Sequence, residues 1–374
     1  TILRMKSILF FIPTLGGGGA ERVLVNLVNN LNRTRYKITV QTLFDSGVNK
    51  EMLAEHVEYR SNFKYIIPAN TKFFKLFSPK FLYNRLIGKK YDIAVSFLEG
   101  PTERIIAGCP YKETKLVNWV HVEQHTVKCA SYSYKSFKEA QNCIDKFERT
   151  VCVAETVKND ITKIFHFSHP CEVLYNTNEN DKIVDMAKEP IVEGLYLKDS
   201  ASVISIGRLI ELKGYDRLIN VHKRLLEEGI KHNVYVVGAG GLEKKLKKQV
   251  ELLDVADTFH FLGFHKNPYK YIAKADMFVC SSRREGFSTA VTEALLLGIP
   301  VVSTNCSGAY ELLGRNNEYG IVTENSEEGI YEGMKRLLSD KLLLAYYYEQ
   351  AKIRALKFSK TETIKAVENM FNSL

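Results

Sequence analysis

Metal-binding and disulfide signatures are missing from this chain: it has no C-x-x-C pair and no D-x-D doublet at a strand end. The seven cysteines (Cys109, Cys129, Cys143, Cys152, Cys171, Cys280, Cys306) form an odd, scattered set, several inside apolar strands. That excludes a disulfide-stapled framework and points to buried thiols in a reducing compartment. No run approaches the ~18–20 consecutive apolar residues of a membrane-spanning helix. Residues Thr1 to Pro13 carry no small-residue cleavage site, so a cytoplasmic protein is expected. His121, Glu123 and His125 read H-x-E-x-H at a strand-to-loop junction, unlike the helical H-E-x-x-H of zinc proteases, and no metal site is expected. With 45% hydrophobic and 25% charged residues, disordered and collagen-like classes are excluded as well.

What is present is enough chain for two cores, since single domains usually run to ~100–200 residues and this one has 374. SILFFIP at Ser7 to Pro13 is a continuous apolar run closed by glycines, which suits a strand buried on both faces. Val23, Leu24, Leu27, Val28 and Leu31 then share one helical face within Ala20 to Leu31. Strands are predicted at Ile38–Phe44, Asp92–Leu98, Lys115–His121, Thr150–Ala154 and Glu172–Tyr175, with helix-length spacers between. A polar stretch, Asn176 to Ser200, breaks the rhythm and is the expected hinge. A second series follows at Ser202–Ile206, Asn233–Val237, Thr258–Leu262, Met277–Ser281 and Pro300–Thr304. The prediction is α/β: two doubly wound parallel-sheet domains, with ligands in a cleft beyond the strands' carboxyl ends.

Charge is uneven. The formal net charge is +9, and from Tyr59 to Tyr91 there are eight Lys or Arg, no Asp or Glu, and nine aromatic rings. Lys72, Phe73, Phe74, Lys75, Phe77, Lys80 and Arg85 interleave cations with rings. Such a segment suits an anionic membrane surface, or else a buried helix whose cations fringe the domain. Nucleic acid is disfavoured because no recognised module accompanies the charge.

Several loops carry candidate chemistry. Gly16 to Gly19 join the first strand to its helix, where backbone N–H groups face a ligand. Counted from Gly16, Glu21 stands in the last slot of the dinucleotide fingerprint G-x-G-x-x-G/A, which argues against NAD, although later registers fit loosely. Gly238-Ala239-Gly240-Gly241 is a second glycine turn, either structural or in contact with a nucleotide. Arg208 and Lys213 lie five residues apart just beyond a strand that ends at Gly207, a fork of donors and a point charge suited to a diphosphate. Glu285 and Gly286 occupy a loop, and a helix start near Ser288 offers free N–H groups to a phosphate. On that helix Thr289, Thr292 and Glu293 are expected to share a polar stripe, with Ala290, Ala294 and Leu297 buried.

These parts, in this order, resemble glycosyltransferase family 4: GGGGAE at Gly16, the strand-end His121, VAETVKNDI at Val153, CEVLYN into the linker, GRLIELKG at Gly207 and EGFSTAVTE at Glu285. The resemblance covers nearly the whole chain and implies the GT-B fold, two facing Rossmann-like domains. The expected division is an acceptor domain over 1–178, a nucleotide-sugar domain over 179–350, and a C-terminal helix over 351–374 crossing back to the first. It implies that Arg208 and Lys213 hold the donor diphosphate, Glu285 the donor sugar and Glu293 the ribose. Ser288 and Thr289 would offer N–H groups to the phosphate, with Gly18, Gly19, Gly207, Gly238, Gly286 and Phe287 also around the donor, and His121 beside the reacting sugar. The family's linker commonly reads N-G, whereas this chain has Asn176-Thr177-Asn178.

The expectation is therefore a metal-independent, cofactor-free, retaining transferase. It would move a sugar from a nucleotide-diphosphate donor, by resemblance a UDP-sugar, to a glycan or lipid-linked acceptor at the inner face of the cell membrane. Without a placed carboxylate nucleophile, front-face substitution is favoured. The alternatives are a nucleotide-sugar epimerase on the same frame, which would need no acceptor, and a non-catalytic scaffold derived from a transferase, which would be expected to have lost some of Arg208, Lys213, Glu285 and Glu293.

Overall fold

Thirteen strands, all paired in parallel, form two sheets among the residues that the computed structural model describes, 4–68, 70–191 and 200–374. Residues 192–199 of the expected hinge lie outside them. One unit comprises Thr1–Asn178 with Lys360–Leu374, the other Glu179–Ser359.

In the first unit the strands are β1 (Lys6–Ile12), β2 (Tyr36–Phe44), β3 (Glu58–Phe63), β4 (Ile93–Ser96), β5 (Lys115–Val120), β6 (Arg149–Cys152) and β7 (Cys171–Val173), ordered β3-β2-β1-β4-β5-β6-β7. Ile8 to Ile12 are all fully buried, as a central strand covered on both faces requires. The helix Lys360–Asn372 closes this core: Phe371 meets Phe10 and Tyr36 edge-on, and Lys6 Nζ donates to the Phe371 carbonyl at 2.9 Å. Full burial of each such ring stabilises by ~1.5–3 kcal/mol.

The second unit repeats the plan with β8 (Ala201–Ile206), β9 (His232–Val237), β10 (Phe259–Gly263), β11 (Met277–Cys280), β12 (Val301–Thr304) and β13 (Ile321–Thr323), ordered β10-β9-β8-β11-β12-β13. In both sheets the order reverses beside the first strand, at β1/β4 and at β8/β11, the switch points where doubly wound sheets hold ligands. The two switch points share a clamp. Asp92 accepts from Ser7 N and Oγ at 2.7 and 2.8 Å, and Asp276 from Ser202 N and Oγ at 2.7 and 2.9 Å. Each carboxylate ties the start of one strand to its neighbour and so fixes which loops meet at the far end. Burial opposes the Asp92 charge, but the Ser7 bonds and nearby cations outweigh it and hold its carboxyl below the usual range.

The strand predictions are met to within a few residues, but two edge strands were not foreseen. β3 is only half-buried along its length and β13 has three residues, so neither shows a long apolar run.

Candidate active site

The second unit's switch point gathers the loops after β8 and β11. Gly207 follows β8, and a Cβ there would stand 2.9 Å from Tyr215 Oη and 3.2 Å from Lys213 Cε. The missing side chain lets Lys213 lie back along the strand end. Gly214 turns the chain at φ +66° into the helix Tyr215–Glu227, and its own Cβ would strike the Ser281 carbonyl at 2.2 Å. Only glycine fits that turn.

Lys213 Nζ reaches Glu285 Oε1 at 2.5 Å, and Ser282 Oγ donates to the same oxygen at 2.6 Å. Burial disfavours the Lys213 ammonium, yet the charge of Glu285 and its hydrogen bond outweigh it and raise the pKa, while the Arg208 cation works against them. Arg208, itself exposed, is therefore close enough to repel Lys213. The geometry brings together Gly207, Arg208, Lys213 and Glu285.

Around this group runs a strap that sequence reasoning missed. Arg283 makes two parallel bonds to Asp216, both 2.7 Å, and its backbone N–H donates to Leu212 O at 2.7 Å. Ser281 Oγ donates to Lys213 O, and the buried Arg217 donates to Ser281 O at 2.6 Å and to Asn325 Oδ1 at 3.0 Å. Beneath it Thr304 Oγ1 donates to Ser282 O at 2.6 Å. Bidentate arginine–carboxylate pairs fix geometry as well as adding energy. The only sequence signal for the pair was the topology, which sets the loops after β8 and β11 side by side.

The helix Thr289–Leu296 starts at Ser288, whose hydroxyl accepts from Val291 N. The expected polar stripe is corrected here: Thr292 and Glu293 are buried, while Ala290 and Leu297 are only half-buried. The helix is packed on several sides, by β11, β12 and the helices Asn180–Ala187 and Lys341–Ala355, so amphipathic periodicity does not apply to it. Glu293 lies among these elements with Tyr269 donating to it at 3.2 Å. Thr289 is half-buried at the first turn, as is Gly286 before it. Phe287 turns into the core against Phe358, and Gly308 leaves room for it. Gly238 sits at φ +153° with a would-be Cβ 1.9 Å from the Gly207 carbonyl; its side-chain-free face meets the strand end itself.

In the first unit, Gly18 precedes the helix Gly19–Asn30, and the Glu21 carboxylate folds back to within 2.2 Å of where a Gly18 Cβ would stand. That carboxylate lies at the helix entrance, where the glycine loop is expected to face a ligand. His121 follows β5, buried against Phe97 with ring centroids 4.9 Å apart. Burial lowers its pKa to about 3, with a hydrogen bond to the Phe97 backbone pulling the other way, so the ring is neutral. Glu99 accepts from His121 N at 3.0 Å.

The basic aromatic segment forms two short helices, Asn70–Phe74 and Pro79–Leu86. Lys72, Phe73, Lys80 and Arg85 are exposed, Lys75 and Phe77 half-buried. Phe74 is 3% exposed and belongs to the core, a correction to its place on a surface: its ring packs on Phe63, which the missed β3 supplies. The buried Arg104 donates to the carbonyls of Phe74 and Phe77 at 2.9 and 2.8 Å and pairs with Glu139. It anchors the segment, leaving Phe73, Phe77 and Phe81 as an outer ladder with successive centroids 5.4 and 5.2 Å apart.

Residues 189–354 match the family model described as glycosyl transferases group 1. Over 369 residues the chain is 29% identical to the N-acetylgalactosamine-N,N'-diacetylbacillosaminyl-diphospho-undecaprenol 4-alpha-N-acetylgalactosaminyltransferase of Campylobacter jejuni, covering 96% of this chain and 97% of that one. Similarity to the capsular polysaccharide biosynthesis glycosyltransferase CapM of Staphylococcus aureus is 27% over 47% of each chain. Among solved structures, HepE of Anabaena in complex with UDP superposes with a TM-score of 0.78 at 20% identity, over 98% of this chain and all of that one. The fold is GT-B, two Rossmann-like units.

Proposed function

We propose, for a chain whose residues 189–354 match the family model of the group 1 glycosyl transferases, that it moves a hexose or N-acetylhexosamine from a UDP-sugar to a lipid-linked or free glycan in cell-surface polysaccharide assembly, with retention at the anomeric carbon. The observation that carries this reading is the Arg208–Lys213–Glu285 group. At one strand end Lys213 is poised on the Glu285 carboxylate, and the exposed Arg208 follows Gly207 at the same end. A diphosphate would take both cations, and Glu285 is then free to accept from a sugar hydroxyl.

In the reaction the bond from C1 to the diphosphate oxygen breaks, a bond from C1 to the acceptor oxygen forms, and the acceptor's proton passes to the departing phosphate. Charge accumulates on the diphosphate as it leaves. Arg208, Lys213 and the N–H groups at Ser288 and Thr289 are fixed donors for it, so no solvent reorganisation is needed at that moment. In this proposal the two cations do the work that a metal ion does elsewhere, and chelation with EDTA is expected to leave the rate unchanged. The Campylobacter relative's name specifies an acceptor on diphospho-undecaprenol; the likeness supports a lipid-linked acceptor here, reached by peripheral attachment to the inner face of the cell membrane.

The test is a thermal-shift panel of nucleotide sugars, followed by product analysis by NMR with the best donor. Retained configuration with a new glycosidic bond is expected. An inverted product, a trapped glycosyl-enzyme, or conversion of the donor without any acceptor would each overturn the reading.

A further inference from the structure

Beyond the carboxyl ends of β4 and β5 the first unit holds a partly open pocket of about 260 Å³. That is just under the ~300–1,000 Å³ of sites that enclose drug-sized ligands, room for one sugar ring. Two acids from the segment after β4, Glu99 and Glu103, line it, joined by Gln124 and Ser133 and by the rings of Tyr132 and Phe165. No cation is among the described residues that line it. Arg104, next along the chain, is committed elsewhere, to two carbonyls and Glu139.

Both acids are held by hydrogen bonds from β5 and the residue after it. Asn118 Nδ2 donates to Glu103 Oε1 at 2.5 Å and His121 N to Glu99 Oε2 at 3.0 Å. Burial first, and the Glu103 charge in addition, push the Glu99 carboxyl up to about 7 in spite of its backbone N–H donors. Glu103 is raised by burial too. The negative charge that the pair keeps at neutral pH accepts hydrogen bonds and resists a further anion, while the protonated fraction of Glu99, raised to about 7, also offers an O–H to a hydroxyl. Hydroxyl, amide N–H and ammonium groups complement the pair; a carboxylate or phosphate does not.

We propose that this cavity is a subsite for one uncharged or amino-bearing sugar ring, held by Glu99 and Glu103, and that it turns acidic sugars away. The ring's identity as the acceptor's sugar rests on the glycosyl-transfer reading above; its binding does not.

Cys129 lines the cavity and is the exposed cysteine among the seven, which supplies a readout independent of catalysis. The full chain is alkylated with iodoacetamide at neutral pH, and the rate at Cys129 is followed by peptide mass spectrometry with N-acetylgalactosamine, galactosamine or galacturonate added. The neutral and amino sugars are expected to slow alkylation several-fold, and galacturonate to leave it unchanged. In Glu99→Gln, checked for folding by its melting temperature, galacturonate is expected to gain protection. Equal protection by galacturonate in the wild type, or no protection by any sugar, overturns the proposal; if the variant does not fold, the wild-type arms alone decide. Protection by neutral sugars in a chain that transfers nothing from any nucleotide sugar would keep the subsite and remove the glycosyl-transfer reading. Transfer with Cys129 unprotected would do the reverse.

Discussion

Lys213 and Glu285 have opposite assignments to a donor, and the ion pair between them makes those assignments separable. Lys213→Ala removes one fixed donor from the leaving diphosphate, and removal of such a donor typically lowers kcat by ~10²–10³-fold. Glu285→Gln keeps the size and one acceptor oxygen but loses the charge that holds Lys213 at 2.5 Å. A hydrogen bond to a charged group is worth ~1.5–3 kcal/mol, so transfer is expected to fall ~10–100-fold. UDP binding by calorimetry should weaken strongly in Lys213→Ala and hardly at all in Glu285→Gln. Equal losses of UDP affinity in the two variants would contradict the division of roles. His121 is neutral because burial lowers its pKa to about 3; its protonation therefore contributes no limb to the rate profile between pH 5 and 8.

At the scale of elements, what holds the site is the contact between two loops that lie about seventy residues apart in sequence. The Asp216–Arg283 pair, at 2.7 Å on both arms, does not touch the proposed diphosphate position but sets the path of the loop bearing Lys213. Asp216→Ala is expected to raise KM for the donor with a smaller loss in kcat, because the loop becomes mobile while Lys213 survives. Steady-state kinetics over donor concentration separates this from a loss of kcat alone. Lower down the same helix, His222 Nδ1 and His232 Nε2 are 2.8 Å apart, His232 Nδ1–H donates to Ile230 O, and His222 Nε2 faces the Thr258 hydroxyl at 2.8 Å. The carbonyl fixes the order of donors along the chain, with both rings neutral. Burial, then the neighbouring histidines, lowers His222 to about 2, and burial lowers His232. The unfolded chain takes up these protons near pH 6.5 and the folded one does not, so stability present above pH 6.5 is lost as pH falls towards 2, at ~1.4 kcal/mol per unit for each group fully in that window. Urea titrations at pH 7.5, 6 and 5 should show the decline, and His222→Gln should flatten it.

The two apolar runs at β1 and β8, and the cations and acids beyond β8 and β11, were legible in the sequence because each is a local pattern: a buried strand, a glycine, a charge just after it. The strap was not legible, since Asp216 and Arg283 read as ordinary surface charges until the order β8-β11 makes them neighbours. The stripe on Thr289–Leu296 failed for the same reason, a helix covered by elements that come from both sides of it in sequence. Gly238 reads as a glycine turn after a strand and does follow β9; its contact with Gly207 is a matter of two strand ends that only the sheet brings together.

For the molecule as a whole, a net charge of +9 predicts attraction to anionic surfaces, but its effect depends on where the charge sits. In the first unit, Lys72, Lys80 and Arg85 are exposed and Lys75 lies half-buried with its ammonium 5.2 Å over the Tyr132 ring. Beside them stand Leu76 at 72% exposure, Phe81 at 50% and Phe73 at 45%. Each cation near an anionic bilayer contributes ~1 kcal/mol, so four together favour the bound state by ~10³-fold. The rings add a part that salt does not screen. Vesicles of phosphatidylserine and phosphatidylcholine should therefore sediment the protein at low salt. Raising salt from ~0.1 to ~1 M shortens the screening length from ~10 to ~3 Å and should release most but not all of it. The triple change Lys72→Gln, Lys75→Gln, Lys80→Gln should abolish the salt-sensitive part, and Phe81→Ser, at an exposed position, should lower the residue that persists at high salt without moving the melting temperature. Failure to sediment with the vesicles even at low salt would assign the segment to the fringe of the first unit's core, where Arg104 anchors it, and would leave the membrane out of the account.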